Sequence, residues 1–342
     1  MTQFDSIVSR ARSDPKHIVL AEGEDERVIE GGLRAARDGL AAVTILGDPD
    51  NIRPAIKKFG GDVSAINVIE PDKSPARHGY ADTFYQLRKH KGVDEKSAES
   101  AVSDPLIFAD LMVQEGDAAG SLGGATRTTA DVVRTALQVI GIDNRYSLVS
   151  SFFIMLLEEE FHDFKGSILF ADCALIVDPD EEQLVQIASA TADSANTLLN
   201  LDPKLAMLSF STRQSADHQL VDKVDNAARR FKELRPDIPV EGGIQFDASF
   251  VPEIGNLKAP ESAVAGNANV MIFPDLNSGN IGYKIAERIG KAKAIGPILQ
   301  GLAKPANDLS RGCSAEDIYR MIAVTSVQAQ AADQEINSDA PA

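Results

Sequence analysis

The residues of this sequence best placed for chemistry are Ser310, Arg311 and Asp317, gathered in the stretch Lys304–Asp317 (KPANDLSRGCSAED). The apolar, periodic run from Ile318 to Val327 behind it predicts a helix. Ser314 is a good N-cap, and Asp317 stands at the capping-box spacing, so the helix should begin at about Ala315. Such an end offers unpaired N–H groups and the positive pole of the helix dipole, a ready anion site. Ser310 and Arg311 sit just ahead of it. An arginine there is electrostatically awkward until an anion arrives, or else it swings into water. Asp317 has two readings, a cap folding back onto Ser314 or a carboxylate that takes up a proton, and local reasoning does not choose between them.

A second unusual stretch is Ser121–Gly141, SLGGATRTTADVVRTALQVIG. A glycine-rich turn leads to Thr128, Asp131 follows three positions on, and an amphipathic helix then runs to Gly141. Thr128 and Thr129 open this helix. Arg134, in its second turn, is a cation near the positive pole, a placement that costs up to about 1 kcal/mol unless a phosphate or an acidic neighbour offsets it. Arg88-Lys-His-Lys91 ends a helix before Gly92, where cations are favourable in themselves. Cys313 stands beside the anion site, where a thiol pKa would fall; its other reading is a small residue packed in a turn.

These residues must be carried by a folded chain, and the composition describes one. The 342 residues are 44% hydrophobic and 25% charged, ample for two domains of ordinary size. The formal charge of −17 argues against a nucleic-acid or anionic-membrane surface. A small anionic ligand remains admissible where a few arginines concentrate. No apolar run is long enough to span a membrane, and the N-terminus MTQFDS lacks the features of a secretory signal, so the expected location is the cytoplasm. Cys173 and Cys313 make no disulfide framework. The five histidines are scattered and no metal-ligand spacing occurs, so no metal is expected. Neither G-x-x-x-x-G-K-[ST] nor G-x-G-x-x-G is present, which removes the usual grounds for an ATPase or a dinucleotide-binding fold.

The elements alternate. His17–Ala21 and Ala42–Leu46 read as strands around a helix through Val28, Ile29, Leu33 and Ala36, the spacing of a parallel βαβ unit. Ala65–Ile69 reads as a further strand, with helices over Tyr80–Lys91 and Pro105–Glu115. Beyond Gly141, Val149–Met155, Ser167–Ala171, Leu175–Val177, Lys204–Ser211 and Ala268–Phe273 read as strands, and Pro179–Leu199 and His218–Leu234 as helices. The prediction is an α/β protein of two domains with mostly parallel sheets. We expect residues 1–145 and 296–342 to form the first domain, the terminal helix packing back on it, and 146–295 the second. The residues from about Ala331 are expected to fray.

Four stretches together carry a resemblance: Ser121–Gly141, Lys258–Val270, Phe273–Lys284 and Ala294–Cys313. They are similar to phosphate acetyltransferase (phosphotransacetylase), and the likeness runs from about Ile18 to Gln330. It implies reversible transfer of an acetyl group between acetyl phosphate and coenzyme A, with coenzyme A as a substrate and no permanently bound cofactor. It also implies the fold shared with isocitrate and isopropylmalate dehydrogenases, an active site in the cleft between the domains, and a homodimer, for which the Ala-rich helix Pro179–Leu199 offers a close-packing face. Carried over by position, Asp317 matches the family's general base, Ser310 and Arg311 its transition-state and phosphate-orienting pair, Arg88 and Arg134 its substrate-binding arginines, and Thr128 and Thr129 the loop facing the acyl phosphate. A phosphate butyryl- or propionyltransferase is the rival within this chemistry. A catalytically silent regulatory or oligomerisation module is the rival outside it. One departure is Ser211-Thr-Arg-Gln-Ser215 where the family reads Ser-Thr-Lys-Gly-Ser: Gln214 replaces a glycine and restricts that loop's backbone.

Overall fold

The computed structural model describes residues 3–212 and 217–339; the substituted position Gln214 lies outside them. The chain forms two compact units, divided at Phe4/Asp5, at Asn144/Arg145 and again at Gly301/Leu302.

One unit begins with α1 (Gln3–Ser13), β1 (Lys16–Leu20), α2 (Glu26–Arg37), β2 (Ala41–Leu46), α3 (Pro49–Lys58) and β3 (Asn67–Ile69). It continues with α4 (Arg77–Arg88), α5 (Glu95–Ala101), α6 (Pro105–Glu115), β4 (Gly120–Gly123) and α7 (Thr129–Val139). The other holds β5 (Ser150–Leu157), β6 (Gly166–Ala171), α8 (Glu181–Leu199), β7 (Leu205–Leu208), α9 (Gln219–Leu234) and β8 (Val240–Ile244). It closes with α10 (Phe246–Phe250), α11 (Pro252–Lys258), β9 (Val270–Ile272), α12 (Leu276–Arg288) and β10 (Lys293–Gln300). The chain then returns to the first unit as β11 (Ala306–Asp308) and α13 (Ala315–Asp339).

The first sheet has the order β11-β4-β1-β2-β3 and is parallel throughout. From β1 the chain steps outward through β2 and β3, then comes back to lay β4 on the other flank of β1. That reversal makes β1/β4 a topological switch point, where ligands of open α/β sheets bind beyond the carboxyl ends of the strands. Apolar runs such as Ile18-Val-Leu20 are wholly buried, as parallel strands covered on both faces require. Helix α13 packs on α2 and β1 at a close approach: a Cβ on Gly31 would lie 2.8 Å from Ile318 Cγ2. Asn307 Nδ2 on β11 donates to Thr325 Oγ1 (2.9 Å) and Gln328 Oε1 (2.6 Å) on the same helix. The second sheet, β10-β5-β6-β9-β7-β8, is antiparallel across β10-β5-β6 and parallel from β6 onward.

Four expectations need correction. Residues 175–177 form no strand. The buried Asp172 carboxylate collects the N–H groups of Ala174, Leu175 and Ile176 and curls that segment out of any ladder. The last residues do not fray at Ala331, since α13 continues to Asp339. The small residues of α8, including Ala188, Ala192 and Ala195, are buried within their own unit and supply no free face. Strand β10 runs through the residues where the second domain boundary was expected and pairs with β5.

Candidate active site

Three loops meet at the carboxyl edge of the first sheet. They follow β1, β4 and β11, adjacent strands whose register sets Leu20 beside Leu122 and Asp308 beside Gly123. Two side chains, one buried and one half-buried, hold them together.

The first is Glu22, just past β1 and 4% exposed. Its Oε2 accepts Ala125 N–H at 2.6 Å, and its Oε1 accepts Thr126 N–H (2.9 Å), Thr126 Oγ1–H (2.6 Å) and Arg127 N–H (2.8 Å). A carboxylate that takes three consecutive amides fixes the whole turn ahead of α7. Arg127, at the end of that turn, pairs with Asp104 at 2.8 Å.

The second is Arg27, near the start of α2. Its Nη1 donates to the carbonyls of Arg311 (2.9 Å) and Cys313 (2.8 Å), and its Nη2 to the carbonyl of Ala125 (3.0 Å). Asp25 orients it at 2.7 Å, and that hydrogen bond holds the Asp25 carboxyl below its usual range. One guanidinium thus ties the turn after β4 to the turn after β11. Neither Glu22 nor Arg27 is foreseen by sequence reasoning. The only signal is the acidic cluster Glu22-Gly-Glu-Asp-Glu-Arg27 directly behind a strand, and nothing in it names the distant amides and carbonyls.

Gly124 lies between these anchors at φ +104°, with space for no side chain: a Cβ there would sit 2.2 Å from Asp308 Oδ1. Thr128 caps α7 by accepting Asp131 N–H (3.2 Å), and its hydroxyl donates to Asp131 Oδ2 (2.7 Å). Thr129 turns the other way and donates to Asp308 Oδ2 at 2.6 Å. Arg134 pairs with Asp131 at 2.9 Å while remaining 60% exposed; the acidic-neighbour reading of that arginine is realised in this structure.

Across the turn, Ser310 and Arg311 are exposed. Ser310 Oγ accepts Gly312 N–H at 3.3 Å. The Arg311 guanidinium makes no ion pair or hydrogen bond among the described residues. Ser314 and Asp317 form a reciprocal cap: Asp317 Oδ2 accepts both Ser314 N–H and its hydroxyl at 2.8 Å, and Ser314 Oγ accepts Asp317 N–H at 3.2 Å. Asp317 Oδ1 is left with Arg320 at 4.0 Å. Arg88 is the last residue of α4, half-buried, and its side chain makes no ion pair or hydrogen bond among the described residues. No hydrogen bond or ion pair joins it to the three loops among the described residues. The structure therefore brings Thr128, Thr129, Ser310, Arg311 and Asp317 into one region, with Arg134 a turn behind.

Of its two readings, Cys313 takes that of a small residue buried in a turn. Burial pushes its thiol up to about 11 despite the nearby Arg27 guanidinium, so the helix end does not activate it. Among the described residues no group of three or more His, Cys, Asp or Glu is arranged to hold a metal ion.

The molecule is an α/β protein whose first sheet carries at its switch point two laced turns, two capped helix N-termini and an arginine with no ion pair among the described residues. The profile of the phosphate acetyl/butaryl transferase family matches residues 2–326, and the chain belongs to that family. It is 47% identical over 330 residues to a phosphate acetyltransferase of Thermoanaerobacterium thermosaccharolyticum, covering 96% of this chain and 100% of the relative. It is 46% identical over 330 residues to one from Clostridium acetobutylicum, covering 96% and 99%. The crystal structure of a phosphotransacetylase from Streptococcus pyogenes superposes with a TM-score of 0.89 at 42% identity, covering 96% of this chain and 98% of the other.

Proposed function

We propose that this protein is a phosphate acetyltransferase that moves an acetyl group between acetyl phosphate and coenzyme A by direct attack. The coenzyme A thiol, with a reference pKa of about 8.5, is mostly protonated at neutral pH and gains from a positioned base. Asp317 takes that proton through Oδ1, because the cap occupies only Oδ2 and a carboxylate has about four lone-pair sites. Cap and base are then one residue in two simultaneous roles. The sulfur attacks the acetyl carbonyl, the C–O bond to phosphate breaks, and inorganic phosphate leaves. Arg311 binds the phosphate, and the Ser310 hydroxyl stabilises the developing charge. Thr128 and Thr129 present the N-terminus of α7 to the acyl phosphate. Arg134 turns from Asp131 to the substrate, an exchange of one exposed ion pair for another that costs little. Arg88 meets the phosphates of coenzyme A. No covalent enzyme intermediate is needed, and holding both substrates together supplies much of the rate.

The observation that carries this reading is Arg311, a cation without a partner among the described residues, beside a helix N-terminus in a chain of net charge −17. The test is to mix the purified protein with coenzyme A and acetyl, propionyl or butyryl phosphate and follow thioester absorbance. Acetyl phosphate should turn over fastest. A butyryl preference would move the assignment within the family, and no thioester with any of the three would sink it.

The protein works as a homodimer in this proposal, in the cytoplasm. Support for self-association is the stripe of Ile281 and Ile285 on α12 and Ile289 at its C-cap, exposed by 57%, 52% and 77%, an apolar row at helical spacing that water alone covers poorly.

A further inference from the structure

Asp308 is the last residue of β11 and is wholly buried. Its Oδ2 meets the Thr129 hydroxyl at 2.6 Å, and its Oδ1 has no hydrogen-bond partner among the described residues. No cation pairs with it among the described residues. A carboxyl in that position favours its neutral form, because the burial penalty on the charge outweighs what the Thr129 hydroxyl returns.

The hydrogen bond to Thr129 can run in either direction, and the direction decides what Thr129 shows to a ligand. When Asp308 is ionised it only accepts, so the single hydroxyl hydrogen of Thr129 points at Asp308 and a bound anion meets an oxygen lone pair. When Asp308 is neutral, its own O–H donates to Thr129 Oγ1 and the threonine hydrogen is released toward the anion. Thr129 is the first residue of α7, where an anion would gather. We propose that Asp308 is a positioning residue which, as a neutral acid, turns the Thr129 hydroxyl into a hydrogen-bond donor to the acyl phosphate. This rests on the acyl-phosphate reading of that helix end.

Burial pushes the Asp308 carboxyl up to about 7, so the two states exchange within the working range. The charged groups bearing on it are Glu22 beyond β1, which favours the neutral form, and Arg311 in its own turn, which opposes it. Helix α7 contributes the Thr129 hydroxyl, β4 contributes only glycine where it passes Asp308, and α13 meets β11 through the uncharged Thr325 and Gln328.

The test uses Asp308→Asn, whose amide donates to Thr129 at every pH and so mimics the neutral acid. The ratio of wild-type to variant KM for acetyl phosphate should rise about 10-fold between pH 6 and pH 8.5, the worth of one hydrogen bond to a charged group, while KM for coenzyme A stays level. A ratio constant with pH would overturn the proposal. Thr129→Val, at the first position of a helix, should abolish the pH dependence of that ratio; its persistence without the hydroxyl would also overturn it. If the wild type makes no thioester, the activity reading falls, and the proposal is still judged by calorimetry with inorganic phosphate as the probe. The Kd ratio between wild type and variant cancels the phosphate's own titration and should show the same rise.

Discussion

Asp317 is the residue at which the two readings of the sequence converge. Its Oδ2 caps α13, the first reading; the second, the proposed base, falls to Oδ1, which lies 4.0 Å from Arg320. Asp317→Asn keeps an amide oxygen for the cap and loses proton affinity. Its kcat should fall by about 10² or more with the melting temperature nearly unchanged, as steady-state kinetics and a thermal scan on one preparation would show. An early-melting variant with normal turnover would leave the cap as the only role. Cys313→Ala should keep most activity, since the thiol is pushed up to about 11 and stays protonated; a folded variant without turnover would point to an acyl-enzyme instead. At this scale the sequence was legible where capping rules apply, at Thr128, Ser314 and Asp317. It was silent at Glu22, Arg27 and Asp308, whose partners are main-chain or hydroxyl groups far away along the chain.

Elements place these residues, and what places the elements is hydrogen bonding across the carboxyl edge of one sheet. Arg27→Lys tests the lacing: a single ammonium cannot span the carbonyls of Ala125, Arg311 and Cys313 as a planar fork does. The expected result is a loss of about 10-fold or more in kcat/KM with intact secondary structure by circular dichroism. Beneath the same turn, α6 buries Asp110, whose Oδ1 accepts Ser121 Oγ–H of β4 at 2.7 Å. Burial pushes its carboxyl up to about 7. A folded pKa raised above the unfolded value of about 3.9 means the folded state holds the proton more tightly. Stability is therefore lost as pH rises from about 4 to about 7, a cost on the order of a few kcal/mol. Asp110→Asn removes that dependence, so the difference in melting temperature, variant minus wild type, should grow more positive from pH 5 to pH 8. The βαβ rhythm was legible because apolar runs and helical periods are local signals. The segment 175–177 misled because three apolar residues look like a strand, whereas the carboxylate that bends them belongs to Asp172.

On the scale of the whole molecule, the family was legible in long stretches of sequence, while the assembly was not. The Ala-rich helix that looked like an interface is consumed by its own unit, and α12 carries the exposed isoleucines instead. Ile285→Lys should shift the sedimenting species toward the monomer without changing the fold; an unchanged dimer would place the interface elsewhere. The return of the chain as β11 and α13 also bears on how the protein is made. Glu22 and the turn it grips leave the ribosome early, but Asp308, Ser310, Arg311 and Asp317 follow only after the whole of residues 145–301. Until then β4 is an open edge, and Arg27 lacks two of the three carbonyls it binds. The site is completed only by residues made after 301, so a nascent chain that stalls before residue 302 lacks β11 and α13 and keeps its first sheet unfinished.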